Sequence, residues 1–318
     1  MKKLLVIVLS LVMVFCMFAC GEKTTEEPQF TYPEKAVEFI VPYAAGGGND
    51  VMCRAVVSEL PFTNVVTNMA GSSAYIGTME AMNRPADGYT VLVHLPESMQ
   101  CYVENGTYAV DAADAMIPIA CPASDPFIIV IGNTKETSAK FNDLESLKNY
   151  KGKVQICETG MKSQNQMTAA LFAEQLGIDY VITPYDSGAN SRTALLGGNA
   201  DIFVTQLSET AAYVKSGEMI PLMVCDYNRS SVIPDCPTAK ELGFDIISVS
   251  HRGFLVAPGT PEDIQEYLRA ELKKVCTTDA FKQKLFDLGY DPVWVEHDEI
   301  KGFQNDIKNL CKVAGPLL

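Results

Sequence analysis

Short apolar runs alternate with segments of helical periodicity along most of the chain. The run Val37–Tyr43 leads into three glycines, Gly46–Gly48, and an apolar pattern at helical spacing follows the polar pair Asn49-Asp50. This order predicts a strand, a glycine loop and a helix. Several similar units come later, and together they predict an α/β fold of mostly parallel sheets flanked by helices.

The later units place further loops at strand ends. The other predicted strands are 64–68, 90–95, 127–131, 153–157, 180–185, 201–205, 219–225 and 254–257, and the other predicted helices are 75–82, 163–176, 190–196, 261–276, 279–288 and one from near 298. Ser163–Gln166 has the Ser-x-x-Gln pattern of a capping box. Ligands of such sheets bind at the carboxyl ends of strands, so we expect a site among loops 44–50, 158–164 and 186–190.

The glycine loop suits an anionic ligand. Gly46, Gly47 and Gly48 allow close approach of the backbone, and the following helix start offers free N–H groups and a partial positive charge. A tight turn without a ligand remains the alternative for this loop alone.

The first thirty residues predict export. Lys2-Lys3 precede a nearly continuous apolar run to Phe18, and Ala19-Cys20-Gly21 follows. We expect residues 1–19 to be a signal peptide and Cys20 to be lipidated, with residues 20–30 as a polar tether. A plain signal peptide, removed together with Cys20, is the alternative.

Composition narrows the partners. The formal net charge of −14 argues against nucleic acid, which attracts basic surfaces. No run after Phe18 approaches the roughly 20 apolar residues of a membrane helix, so contact with a membrane is expected through the lipid only. Eight cysteines follow Cys20, mostly within apolar runs, which favours buried free thiols over disulfides.

Catalytic and cofactor signatures are missing from the sequence. The three histidines are far apart, and no nucleophile elbow, nucleotide-binding glycine motif or Cys-x-x-Cys occurs. We therefore expect no enzyme activity, no metal and no cofactor. His251-Arg252 precede a predicted strand and fit a solvated or hinge position, whereas Tyr43 and Tyr185 fit either a pocket wall or the core.

Five segments in order resemble one family over residues 32–318, the substrate-binding proteins of tripartite tricarboxylate transporters (the Bug family). They are YPEK with IVPYAAGGGND (32–50), RPADGYT (84–90), PYDSG with LLGGNAD (184–201), PDCPT with ELG (234–243) and GFLVAPGTP (253–261).

The resemblance implies a two-lobe fold of the periplasmic-binding-protein type, joined by crossing strands. We place lobe 1 at 31–131 with 251–318 and lobe 2 at 132–250. It further implies capture of a small organic solute, first of all a carboxylate, and delivery to a two-component membrane permease. The protein would be anchored by Cys20 outside the cell membrane; a ligand-sensing lipoprotein serving a membrane receptor is the alternative.

Three acids depart from the family pattern near the expected cleft. They are Glu97, in the expected loop 96–98 after the third strand, Glu158 and Asp186, and they stand where the family has neutral or basic residues. An unpaired carboxylate near a bound anion costs about 4 kcal/mol at an effective dielectric constant of about 20. Either these side chains point away, or the solute bears a positive charge such as that of an amine.

The expected ligand contacts combine loop backbone, aromatic walls and polar side chains. The full set is Tyr43, Ala45, Gly46, Gly47, Gly48, Asn49, Asp50, Glu97, Ser98, Glu158, Ser163, Gln164, Tyr185, Asp186, Ser187, Gly188, Asn190 and Thr205.

Overall fold

Within residues 30–318, the part of the chain that the computed structural model describes, ten strands pair into one continuous mixed sheet. The strands are β1 (Val37–Val41), β2 (Asn64–Asn68), β3 (Thr90–His94), β4 (Ile117–Gly132), β5 (Val154–Thr159), β6 (Tyr180–Tyr185), β7 (Ile202–Gln206), β8 (Met219–Val224), β9 (Val249–Val256) and β10 (Asp291–Glu296). The predicted signal peptide and Cys20 lie outside the described residues.

Two groups of three parallel strands form the ends of the sheet. β1 pairs with β2 and β3 at one end, and β5 pairs with β6 and β7 at the other. Strands of one direction need crossover segments, and helices supply most of them. The predicted strand–helix alternation is therefore present in both groups.

Two antiparallel strands connect these groups. β9 lies between β3 and β4, and the 16-residue β4 pairs with β9 through its first part and with β7 and β8 through its second. The lobe boundaries within residues 35–318 stay a prediction.

Twelve α-helices occur in the described part of the chain. They are α1 (Gly48–Val57), α2 (Tyr75–Asn83), α3 (Pro96–Glu104), α4 (Ala112–Ala115), α5 (Lys135–Ser138), α6 (Leu144–Asn149), α7 (Gln164–Leu176), α8 (Gly188–Leu196), α9 (Ala211–Ser216), α10 (Glu262–Cys276), α11 (Asp279–Asp287) and α12 (Ile300–Ala314). None of the helices in residues 30–318 is both long and apolar enough to cross a membrane.

Two local predictions were wrong. Pro96–Ser98, expected as a loop, form the first turn of α3, where proline is favoured because its fixed φ suits the helix and its missing N–H is not needed. His251 and Arg252, expected before a strand, lie inside β9 and are buried, since their polar groups have charged partners there.

The core consists of the strand faces and the helices packed on them. Phe127, Ile129 and Ile131 of β4 pack with Phe172 of α7, and none of the four side chains is exposed. All eight cysteines among residues 30–318 are buried and free, as expected from their apolar surroundings.

Candidate functional site

A cavity of about 250 Å³ lies where several strands end. Its walls include residues at or after the carboxyl ends of β1, β3, β5, β6 and β7, the position at which parallel sheets bind ligands. The lining residues are Tyr43, Ala44, Gly47, Gly48, Asn49, Leu95, Ser98, Tyr102, Thr159, Asn165, Asp186, Ser187, Gly188, Gln206, Glu209 and Arg252. The volume suits a small metabolite, because drug-sized ligands occupy pockets of about 300–1,000 Å³.

The N-terminus of α1 opens onto the cavity without a side-chain cap. Gly47 is the N-cap residue and has no side chain, so it provides no side-chain hydrogen bond to the first turn. Asp50 instead turns back and accepts the backbone N–H of Gly46 at 2.8 Å, and it also binds Arg54. The first-turn N–H groups of Gly48 and Asn49 thus remain available to a ligand.

Gly48 allows this helix to approach Arg252 closely. A Cβ atom at Gly48 would lie 2.7 Å from Nη2 of Arg252, which is too short for non-bonded atoms. The guanidinium of Arg252 donates to Oδ1 of Asn49 at 2.8 Å and to the carboxylate of Asp125. Burial opposes the charge of Arg252, but Tyr290 and Asp125 outweigh it and raise the pKa, so the guanidinium stays charged.

Two buried donors beside this helix start lack acceptors. Nδ2 of Asn49 and Nε of Arg252 have no hydrogen-bond partner within residues 30–318. Each residue is only 3 % exposed. A buried unsatisfied donor costs about 1–3 kcal/mol, so this end of the cavity favours an acceptor-rich group.

The N-terminus of α8 lines another part of the cavity. Ser187 caps it by accepting the N–H of Asn190 at 3.3 Å. The carboxyl group of Glu209, from a 3₁₀ turn after β7, lies directly against Gly188, where any Cβ atom would overlap it. Thr205 donates its hydroxyl to Glu209 at 3.1 Å.

Tyr43 and Tyr102 supply the aromatic part of the wall. The Tyr43 ring lies 5.4 Å from the His94 ring, and Tyr102 stacks on Tyr108 at 5.3 Å. Burial raises the pKa of both cavity tyrosines, so they are neutral and present hydroxyl groups rather than charge.

The structure gathers eight of the expected contact residues around this cavity. They are Tyr43, Gly47, Gly48, Asn49, Ser98, Asp186, Ser187 and Gly188. The other ten do not line it: Ala45, Gly46, Asp50, Glu97, Glu158, Ser163, Gln164, Tyr185, Asn190 and Thr205. Contact with a ligand stays a prediction for both groups.

Several of the outlying residues support the walls instead. Asp50 holds the glycine loop, and Thr205 binds Glu209. Ser163 caps α7 by accepting the N–H of Gln166 at 3.2 Å, as its sequence pattern predicts. Gln164 donates to the carbonyl of Val249 at 3.1 Å and so ties α7 to β9.

Two of the three unusual acids do not line the cavity. Glu97 pairs with His251 on the far side of β9. Glu158 is fully buried, and burial raises its pKa to about 8 despite a 3.3 Å hydrogen bond from Ser163, so it is mostly neutral at pH 7. Only Asp186 lines the cavity, and its side chain is exposed.

Sequence reasoning missed eight lining residues: Ala44, Leu95, Tyr102, Thr159, Asn165, Gln206, Glu209 and Arg252. Thr159 lies in the expected loop 158–164, Gln206 directly follows a predicted strand, and Asn165 lies in the capping box, so their positions carried a signal. Glu209 and Arg252 reach the cavity through tertiary packing, which local sequence does not reveal. Across residues 30–318 no cluster of three histidine, cysteine or acidic side chains is arranged to hold a metal ion.

Comparison with known proteins gives a consistent family. Residues 51–313 match the family model of the tripartite tricarboxylate transporter family receptor, TctC. Protein BugT of Bordetella pertussis is 27 % identical over 290 residues, which span 87 % of this chain and 87 % of that protein.

Two solved structures share the fold. MatC from Rhodopseudomonas palustris, described with bound malate, has a TM-score of 0.75 at 20 % identity and covers 89 % of this chain and 100 % of its own. Rpa4515 of R. palustris, described with adipate, has a TM-score of 0.79 at 21 % identity over 90 % of this chain and 99 % of its own. The fold is thus the α/β fold of periplasmic binding proteins, here a mixed sheet whose two groups of parallel strands are joined by the antiparallel strands β4 and β9. Because residues 51–313 match the family model, this chain belongs to the tripartite tricarboxylate transporter receptor family.

Proposed function

We propose that the protein captures a small organic carboxylate in this cavity, outside the cytoplasm, and delivers it to a two-component membrane permease of the tripartite tricarboxylate type. The observation that carries the proposal is the meeting of the uncapped α1 start with Arg252 at one end of the cavity.

The physical support is the unused donor capacity at that end. Two backbone N–H groups of α1 and the buried nitrogens of Asn49 and Arg252 have no acceptor within residues 30–318. A carboxylate has about four lone-pair sites and favours the positive end of a helix, so it matches this donor set better than a neutral solute does.

The likeness to relatives supports the same ligand class. MatC is described with malate and Rpa4515 with adipate, both dicarboxylates. A neutral sugar or a peptide would leave the donor-rich end underused.

Closure of the two predicted lobes over the solute is the expected capture step, since binding proteins of this kind close about connecting segments. The mature chain would be held at the membrane by a lipid on Cys20. Family and fold are those of receptors, and we propose no enzyme activity. Sensing for a membrane receptor is the second candidate, which a transport assay separates from delivery.

Isothermal titration with malate, adipate and citrate tests the ligand class, with dimethyl malate as the neutral control. We expect heat of binding for at least one acid and none for the ester. Equal binding of the acid and its ester would contradict the proposal.

Uptake of the bound acid by cells with and without the gene then tests delivery, and mass spectrometry of the mature N-terminal peptide tests the Cys20 lipid. Unchanged uptake of an acid that the protein binds would favour sensing.

A further inference from the structure

Three charged residues line the cavity: Asp186, Glu209 and Arg252. A carboxylate solute would bring at least one more negative charge into this small volume. The partners of Arg252 decide whether the cavity already holds an unpaired positive charge that could balance the charge of the solute.

The charge of Arg252 is already matched. Its Nη2 binds the carboxylate of Asp125, which is fully buried behind the cavity wall. Asp125 also accepts the backbone N–H of Ser208 at 2.9 Å and its hydroxyl at 2.6 Å. Arg252 and Asp125 therefore form a neutral buried pair, which can still donate hydrogen bonds but adds little net positive charge.

Within residues 30–318, no arginine or lysine hydrogen-bonds to the carboxylate of Glu209. Its carboxyl group receives one neutral hydrogen bond, from Thr205, while Arg192 donates to its backbone carbonyl at 3.3 Å rather than to the carboxylate. Burial raises the pKa of Glu209, the nearby charges of Arg252 and Arg192 lower it and Asp125 raises it, with a net rise. A buried carboxylate is stabilised by a nearby cation, because the cation compensates for the hydration that the carboxylate lost on burial.

The position of Glu209 also changes the role of α8. Its carboxyl group lies against Gly188 in the first turn, so this helix start already faces an acid of the protein itself. The start of a helix favours a nearby negative charge, and at α8 the carboxyl group of Glu209 already provides it. Asp186, directly before the cap, adds a second acid on the same side.

The cavity lining thus offers two kinds of group. Asn49 and Arg252, beside the start of α1, offer unsatisfied donors, whereas Glu209 and Asp186, beside the start of α8, offer acids. Resting on the proposed carboxylate function, we infer that the solute is a zwitterion of amino-acid type, whose carboxylate lies toward α1 and whose ammonium group lies toward Glu209.

Matched pairs of solutes test this inference: aspartate against succinate, and glutamate against glutarate, titrated calorimetrically with the full chain. Members of a pair differ only in the amine. We expect the amino member to bind at least tenfold more tightly in at least one pair, because a desolvated carboxylate strongly favours a cationic partner.

The variant Glu209→Gln locates the effect. It should reduce the preference for the amino member to within threefold, mainly by weakening that member. Glu218→Gln, at an exposed acid that does not line the cavity, is the control and should keep the preference. Circular dichroism checks folding; if Glu209→Gln does not fold, Asp186→Asn, at an exposed position, should reduce the preference in the same direction.

Equal or tighter binding of succinate and glutarate, or of malate and adipate over both amino acids, overturns the zwitterion and leaves the carboxylate function standing. An amine preference that Glu209→Gln and Asp186→Asn both leave unchanged overturns the assigned cation site. Failure of every acid, with or without an amine, counts against the proposed function itself.

Discussion

Glu97 binds His251 through two contacts, although the two residues lie 154 positions apart in the sequence. The backbone N–H of His251 donates to Oε2 of Glu97 at 3.0 Å, and Nδ1 of His251 lies 2.6 Å from Oε1. The pair joins α3 to the middle of β9, one residue before the cavity residue Arg252. Burial lowers the pKa of His251, but Glu97 outweighs it and raises the value above normal.

Removal of the Glu97 charge should destabilise the protein. Glu97→Gln leaves His251 without its counter-ion, and breaking a buried pair costs about 3–5 kcal/mol. A raised histidine pKa contributes stability below the unfolded value near 6.5 and loses it as pH rises through the folded value. The difference in the free energy of unfolding between wild type and variant, measured by urea unfolding, should therefore narrow above pH 6.5. Glu104→Gln, exposed on the same helix, should change little; a difference that widens with pH would contradict the pairing.

The approach of α1 to Arg252 can be tested at Gly48. Gly48→Ala places a methyl group 2.7 Å from the guanidinium, so either the helix or Arg252 must shift. We expect at least a tenfold loss of affinity for the bound solute, with folding retained. Gly302→Ala on α12, where a Cβ atom has open space, is the matched control and should leave binding unchanged. Unchanged affinity in Gly48→Ala would remove this helix start from the site.

A companion change, Gly47→Val, tests the neighbouring N-cap. Gly47 has an ordinary extended backbone with φ of −73°, so strain is not the obstacle there. A Cβ atom would lie 3.2 Å from the Ala44 carbonyl oxygen, and the larger valine side chain would enter the cavity wall. Titration should show lost binding in a protein with a native circular dichroism spectrum; a folded variant that binds normally would contradict it.

Glu158 should give the protein a pH-dependent stability. Burial raises its pKa from 4.5 to about 8, so between these values the folded state holds a proton that the unfolded state has released. Stability contributed by this group is present below pH 4.5 and is lost as pH rises toward 8. Glu158→Gln keeps the shape without the charge, so its stability gain over wild type should grow with pH in this interval, by up to a few kcal/mol. Exposed Glu266→Gln should show no such gain, and a gain that falls with pH would refute the burial argument.

The eight cysteines of residues 30–318 should be inert in the folded state. All are buried, and burial raises the pKa of Cys53, Cys236 and Cys276 to about 12, so the reactive thiolate is rare. Iodoacetamide at pH 8, followed by peptide mass spectrometry, should label none of them before unfolding and all eight in urea without reductant. Any cysteine that stays unlabelled in urea until reductant is added would show a disulfide.

Local sequence predicted much of the fold because its signals are local. The apolar run before Gly46–Gly48 and the capping pattern of Ser163–Gln166 fix a strand end and a helix start within a few residues. β6 was predicted with its observed bounds. The long β4 was predicted only over 127–131, because prolines and Asp125 interrupt its first part.

The candidate site was predicted in part for the same reason. Loop backbones at strand ends were found, but the side chains that set its charge were not. Arg252 lies inside β9 and is buried against Asp125, a contact over 127 residues that no local pattern records. Glu97 and Glu158 were expected near a ligand, yet whether an acid faces a cavity or a buried partner depends on packing.

The place of β9 in the sheet has a consequence for the order of folding. β9 lies between β3 and β4, yet it follows β4 by more than a hundred residues in the chain. During synthesis the N-terminal part of the chain emerges first. The edges of β3 and β4 that pair with β9 therefore stay exposed until residues 249–256 have been made. Such long-range pairing is slow, and open strand edges invite wrong partners. A chain shortened before residue 249 would keep both edges unpaired, and holding the strands apart until synthesis is complete would protect this fold from aggregation.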